Sequence, residues 1–340
     1  MNIHYLAVGL AAMAVAVSGT LPAAAQTASS RTSERTVPRT VDGRPDLQGI
    51  WDFRTITPME RPNELAGKDV LTAEEAAQFE QETLDARDKD LRASDGISTN
   101  RDVANAYNQF WWDYGDRLTE DRRTSLIVDP PDGRIPWTPT ALEERRERAA
   151  TRAAEPGGRI TPGPEDRGLA ERCILGFNSG PPMVPSAYNN NFQLVQTADT
   201  IVIVNEMVHN ARVVPLDGRP HLSGNVRQWV GDSRGRWDGD TLVVETTNFL
   251  RDTSFRGSSE RLHLVERFTR ADADTLLYEF TVEDARTWTI PWTATVPMTK
   301  TDSPMFEYAC HEGNYGMTNL LAGSRAQDRA AAKGALTDSK

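Results

Sequence analysis

Cysteine and histidine are scarce in this chain of 340 residues, which has two of the first and five of the second. No CxxC pair occurs, so cysteine-rich zinc modules, thioredoxin-type redox sites and CxxCH haem attachment are excluded. A GxSxG elbow, a Walker loop and a convincing dinucleotide glycine fingerprint are also missing, which disfavours serine hydrolases and nucleotide enzymes. Basic charge is in deficit: 38 Lys and Arg stand against 49 Asp and Glu, a net of −11. Phosphate binding depends on Lys and Arg displacing counterions, so nucleic acid and anionic lipid are not expected partners. After the first 25 residues no run is long and apolar enough to span a bilayer. No repeat of fixed period is present.

The first 25 residues lack Lys, Arg, Asp and Glu altogether. They run apolar from Tyr5 to Val17 and end at Ala23-Ala24-Ala25, the pattern of a signal peptide with an Ala-x-Ala cleavage site. A mature product beginning near Gln26 is expected in the periplasm or outside the cell, with no membrane insertion after cleavage. In that oxidising setting Cys173 and Cys310 are expected to form a disulfide. It closes a loop for which chain entropy gives at most about 5 kcal/mol. A buried free pair or a zinc site are the alternatives.

Residues 26–40 are polar and without apolar period, and read as a disordered lead-in. A helical and irregular region over 41–160 follows. Thr72 with Glu75 forms a capping box that opens a helix to about Arg92, stopped by Ser94-Asp95-Gly96. Thr140 with Glu143 predicts a second, rich in Glu and Arg, solvated on its surface and ended by Pro156-Gly157-Gly158. Between them Tyr107–Tyr114 is dense in aromatics, suited to a core or to the mouth of a domain.

Over 161–325 the period changes to two, with a flexible tail expected over 326–340. Strands are predicted over 192–197, 200–207, 211–216, 227–230, 241–247, 262–269, 275–282 and 288–296, separated by Asp and Gly turns. Alternation puts Leu276, Tyr278, Phe280 and Val282 on one buried face, and Trp288, Ile290, Trp292, Ala294 and Val296 on another. The fold class is therefore mainly β, an antiparallel meander closing into a barrel or sandwich, with the helical and irregular region packed on it.

Gly49-Ile-Trp51, together with the hairpin Arg236–Val244, resembles the openings and turns of lipocalin-like (calycin) barrels over about 150 residues. Gly231–Phe249 and Tyr308–Tyr315, with Asp42–Trp51 and Arg123–Arg134, are similar to segments of a large group of exported bacterial proteins. That resemblance covers most of the mature chain and implies no particular activity.

Four of the five histidines fall between His209 and His311, beside acidic, basic or aromatic neighbours. Histidine titrates near neutrality and ligates metals, so these are the site candidates. His311 with Glu312 follows Cys310 and is read either as a general base held by the disulfide or as a structural turn residue, with Tyr315 nearby. His209 lies opposite Glu206 and Arg212 unless the strand breaks at Val208-His209. His263 groups with Arg261 and Arg267 on a solvated face, and His221 lies in a loop. Trp237, Tyr278, Phe280, Trp288 and Trp292 are expected to line a ligand pocket.

The sequence thus predicts an exported acid–base enzyme of the lyase, isomerase or hydrolase type, working without cofactor on a small phenolic or sugar derivative. Its catalytic candidates are His311, Glu312, His209, His263, Arg212 and Tyr315. A periplasmic carrier for an apolar ligand is the first alternative. A mononuclear metal enzyme is the second, although no HxH or HExxH spacing supports it.

Overall fold

The computed structural model describes residues 37–88, 110, 112–154, 163–253 and 255–338. The segment read as a signal peptide, most of the polar lead-in, both predicted helix stops and much of the Tyr107–Tyr114 run lie outside the described residues.

Alternation of side chains builds the sheet. In β9 (Thr275–Glu283) Leu276, Tyr278, Phe280 and Val282 are fully buried, while the residues between them reach the surface. The same period buries Trp292, Ala294, Val296 and Met298 of β10 (Trp292–Thr301). In β8 (His263–Arg270) it buries Leu264, Glu266, Phe268 and Arg270. The turn from β8 to β9 is set by Asp272, whose carboxylate accepts the N–H groups of Asp274 at 2.9 Å and Thr275 at 2.8 Å.

The remaining strands are β1 (Gly49–Asp52), β2 (Ile127–Asp129), β3 (Asn191–Gln196), β4 (Thr200–Asn205), β5 (Ala211–Pro215), β6 (Asp232–Asp238) and β7 (Thr241–Thr247). They form one antiparallel ten-stranded sheet in the order β5-β4-β3-β1-β10-β9-β8-β7-β6, with β2 also paired to β10. The hydrogen-bonded ladder is not closed, and β5 and β6 are its ends. These ends nevertheless approach each other across Gly235, where a Cβ would lie 2.5 Å from Leu216 Cδ2 and 2.9 Å from Val214 Cγ1. Glycine is what lets the strands come so near.

The sheet crosses the boundary near residue 160, because β1 sits in its middle between β3 and β10. Trp51 of β1 is fully buried, and its indole N–H donates to Leu47 O at 2.9 Å. The Arg270 guanidinium lies 5.3 Å from the centre of that ring and donates to the carbonyls of Asp46, Asp272 and Ala273. Backbone oxygens thus satisfy this buried cation, with the charges of Asp46, Asp274 and Asp272 also acting on it.

Two helices from the N-terminal region flank the sheet. The capping box Thr72/Glu75 opens α1 (Ala73–Arg87) as its spacing requires. Helix α2 runs over Pro139–Ala154, starting earlier than predicted: Thr138, not Thr140, accepts the Ala141 N–H at 3.2 Å. Proline at the first helical position needs no N–H partner, so the cap moves ahead of it. The C-terminal helix α3 (Tyr315–Asp338) runs through the stretch read as a tail. It docks through Ser324, which accepts from Arg167 at 3.2 Å.

Two strand predictions are corrected. Residues 227–230 are not a strand; β6 begins after Gly231, whose φ of +71° turns the chain, and its polar DSRGRWD composition hid it. The last strand begins at Trp292 instead of Trp288, since 284–290 is a turn closed by the Trp288 N–H on Asp284 O at 2.9 Å. Ile290 is consequently half exposed rather than inward. Cys173 and Cys310 form a disulfide with Cα atoms 5.6 Å apart, tying the turn before β3 to the segment before α3.

Candidate functional site

The interior of the sheet contains a charged group. Arg212 of β5 pairs in bidentate fashion with Glu266 of β8, one bond measuring 2.9 Å, and both are almost wholly buried. The Tyr278 hydroxyl donates to Glu266 Oε1 at 2.8 Å and accepts the Met183 N–H at 3.1 Å. Burial and the Glu266 charge push the Tyr278 pKa well above its ordinary value, against the pull of Arg212. The Glu266 charge likewise raises the Arg212 pKa, overcoming the effect of burial. This is a satisfied network.

Around it the expected pocket residues pack on one another. Ring centres of Trp288 and Trp292 are 5.7 Å apart, Phe280 and Trp292 5.8 Å, and Tyr278 and Phe280 5.8 Å. None of the four cavities described below is lined by them. Trp237 is partly buried against the core, with Arg44 over its ring.

The other catalytic candidates are dispersed. His311 and Glu312 are exposed in a turn, and Tyr315 is 77 % exposed at the start of α3. His209 is exposed at the end of a short helical turn, Met207–His209, where the strand does break: Val208 and His209 both have positive φ. Glu206 is buried there, accepting from Asn191 at 2.8 Å and from the Phe306 N–H at 3.1 Å. His263 lies on the outer face of β8, 2.8 Å from Glu245 and 3.7 Å from Glu283. His221 contacts Asp232 at 2.9 Å, and Asp232 also holds the Leu222 N–H and Arg234, pinning the loop ahead of β6. Arg212 is therefore separated from the histidines by burial. No group of three or more His, Cys, Asp or Glu suited to a metal occurs among the described residues.

The largest cavity described is elsewhere: a cleft of about 890 Å³ between α2, the loop from β7 to β8, and the turn after β9. Ala141, Glu144, Arg145, Arg148 and Ala149 present one face of α2 to it, spaced i, i+3, i+4, i+7 and i+8. Opposite stand Arg251, Arg256 and Arg286, with Asp252 and Glu260 at the margin. Asp284, nearly inaccessible, fixes this wall. Its carboxylate accepts the N–H groups of Ser259 at 2.6 Å and Arg286 at 3.1 Å, and the Thr287 hydroxyl at 2.9 Å.

Charge in the cleft is unevenly paired. Arg148 meets Glu144 at 3.5 Å, and Arg145 stacks 4.2 Å above the Trp137 ring. Arg251, Arg256 and Arg286 form no ion pair with a described carboxylate, although Arg256 is partly buried. Burial lowers the Arg256 pKa; Glu60 counters this from beyond ion-pairing distance, and Arg145 adds repulsion. Its backbone is left-handed, φ +55°, a conformation costly for a side chain of this size. Sequence reasoning missed this site because α2 reads as a solvated face and 251–260 falls between two predicted strands. The helical spacing of Arg145 and Arg148 was the available signal.

Three smaller cavities are described. One of about 590 Å³ and one of about 340 Å³ share Asp52, Arg54 and Asp113. The third, about 250 Å³, shares Arg256 with the main cleft. No family model, no characterised protein and no solved structure matches the chain.

Proposed function

We propose that the protein binds a small anionic organic molecule in the arginine-lined cleft and acts as an exported binding or carrier protein. The observation that carries this reading is Arg256, a guanidinium drawn partly out of water, on a left-handed backbone, with no ion pair to a carboxylate among the described residues. Complete burial of an unpaired charge costs several kcal/mol, so a fold keeps such a group where an anion offsets the cost. Guanidinium groups suit carboxylate, sulfate and phosphate oxygens through paired N–H donors. The overall charge of −11 is no obstacle, because the field that matters is local. Export is supported by the N-terminal segment and by the disulfide, which suits an oxidising compartment.

Thermal denaturation with and without carboxylate, sulfate and phosphate compounds tests the reading. A ligand at a hundred times its Kd stabilises by about 2.7 kcal/mol, and Arg256→Gln should abolish that gain. Equal stabilisation of wild type and variant, or none of either, refutes it. Acid–base chemistry of the lyase, isomerase or hydrolase type is the second reading of the same cleft. Its support is that Glu144, Asp252 and Glu260 stand beside the arginines, as proton-transfer groups must beside a bound anion.

A further inference from the structure

Arg256 lines two cavities, not one. On one side is the arginine cleft; on the other is the space of about 250 Å³ bordered by Met59, Leu126, Pro185, Ser186 and Tyr114, and by a second cation, Arg87. Leu126 is 1 % exposed and Met59 packs against the main core, so this space has an apolar wall belonging to the rigid part of the fold. Its size is informative, since an apolar cavity of about 150 Å³ accepts benzene. A single substituted ring fits that volume.

We propose that the ligand is a single-ring aromatic carboxylate, its carboxylate on Arg256 and its ring in the cavity beside Met59, Pro185 and Tyr114. This rests on the anion-binding reading above and adds the ligand's second half. The planar, delocalised guanidinium matches a carboxylate edge to edge with two parallel hydrogen bonds. A methionine sulfur is favourable near an aromatic ring, and Arg87, 4.8 Å from the centre of the Tyr114 ring, adds a second positive group to the cavity wall. The remaining arginines of the cleft supply the positive field through which the anion enters.

The experiment is calorimetric titration of the whole mature chain with benzoate, acetate and sulfate, using wild type, Arg256→Gln and Ser186→Phe. Ser186 is a suitable site for filling the cavity. Its backbone groups bond to Asn190, while its hydroxyl makes no hydrogen bond among the described residues. Benzoate should bind wild type at least about tenfold more tightly than acetate. Arg256→Gln should weaken both by about tenfold or more, and Ser186→Phe should weaken benzoate alone. If no anion binds wild type, or binding ignores Arg256→Gln, the anion-binding reading itself fails. If acetate and sulfate bind through Arg256 but benzoate gains nothing over acetate, or loses nothing in Ser186→Phe, the aromatic ligand is refuted and the anion site stands.

Discussion

Glu266→Gln is the substitution whose outcome depends most directly on the interior of this fold. Glu266 is fully buried and Arg212 is 4 % exposed, so the two charges compensate each other away from water. The glutamine keeps the shape and can still accept from Tyr278, but it removes the only carboxylate bonded to Arg212 among the described residues. Arginine cannot shed its proton at ordinary pH, so the charge stays and must be carried unpaired. Breaking a buried pair on one side costs about 3–5 kcal/mol. With about 2–4 °C lost per kcal/mol in a large domain, the melting point should fall by roughly 6–20 °C. Removing the charge as well, in Arg212→Met/Glu266→Gln, should recover at least about half of the loss, because a paired charge contributes little net stability over an apolar replacement. Urea unfolding of the wild type, both single variants and the double variant gives the four corners of the cycle, with near-ultraviolet circular dichroism checking that each folds. A loss under about 1 kcal/mol for Glu266→Gln, or a double variant less stable than the single one, refutes the reasoning.

Two other outcomes follow from the geometry. Tyr278 has its pKa raised by burial first and by the Glu266 charge next, so below its unfolded pKa near 10 it contributes stability that is lost as pH rises from there towards the folded value. Of the seven tyrosines, Tyr278 should therefore give its phenolate absorbance only together with unfolding, and its ionisation below pH 10 in the folded protein would contradict the assignment. Gly235→Ala should cost about 1–3 kcal/mol by overpacking the approach of β5 to β6. Adding Leu216→Ala should return part of it, and an unchanged melting point for Gly235→Ala would show that the two ends of the sheet do not touch there.

Much of the fold was legible in the chain, for a physical reason. Side-chain direction in a strand reverses at every residue, so Leu276, Tyr278, Phe280 and Val282 declare a buried face in the sequence itself. The Thr72/Glu75 box works the same way, since its partners lie three residues apart and need nothing from the rest of the molecule. The cysteines could be paired because only two exist, which leaves a single possible bridge. Where Trp288 was assigned to a strand the rule failed, because period two holds only while the chain stays extended.

The candidate site was less legible. The histidines attracted attention by residue type, yet His209, His221, His263 and His311 lie in separate settings, and nothing in their local sequence encodes that. Arg212 was named, but its partner was not: Glu266 is 54 positions away and meets it only because β5 and β8 face each other across the interior. The cleft depends still more on tertiary structure. It takes one face of α2, a loop more than a hundred residues later, and Asp284 beyond β9 to hold the wall in place. Periodicity and capping are properties of neighbours along the chain, and the sequence alone determined them. Which distant arginines share a cleft, and which of them form no ion pair with a described carboxylate, is decided by how the strands pack, and only the tertiary structure contains that.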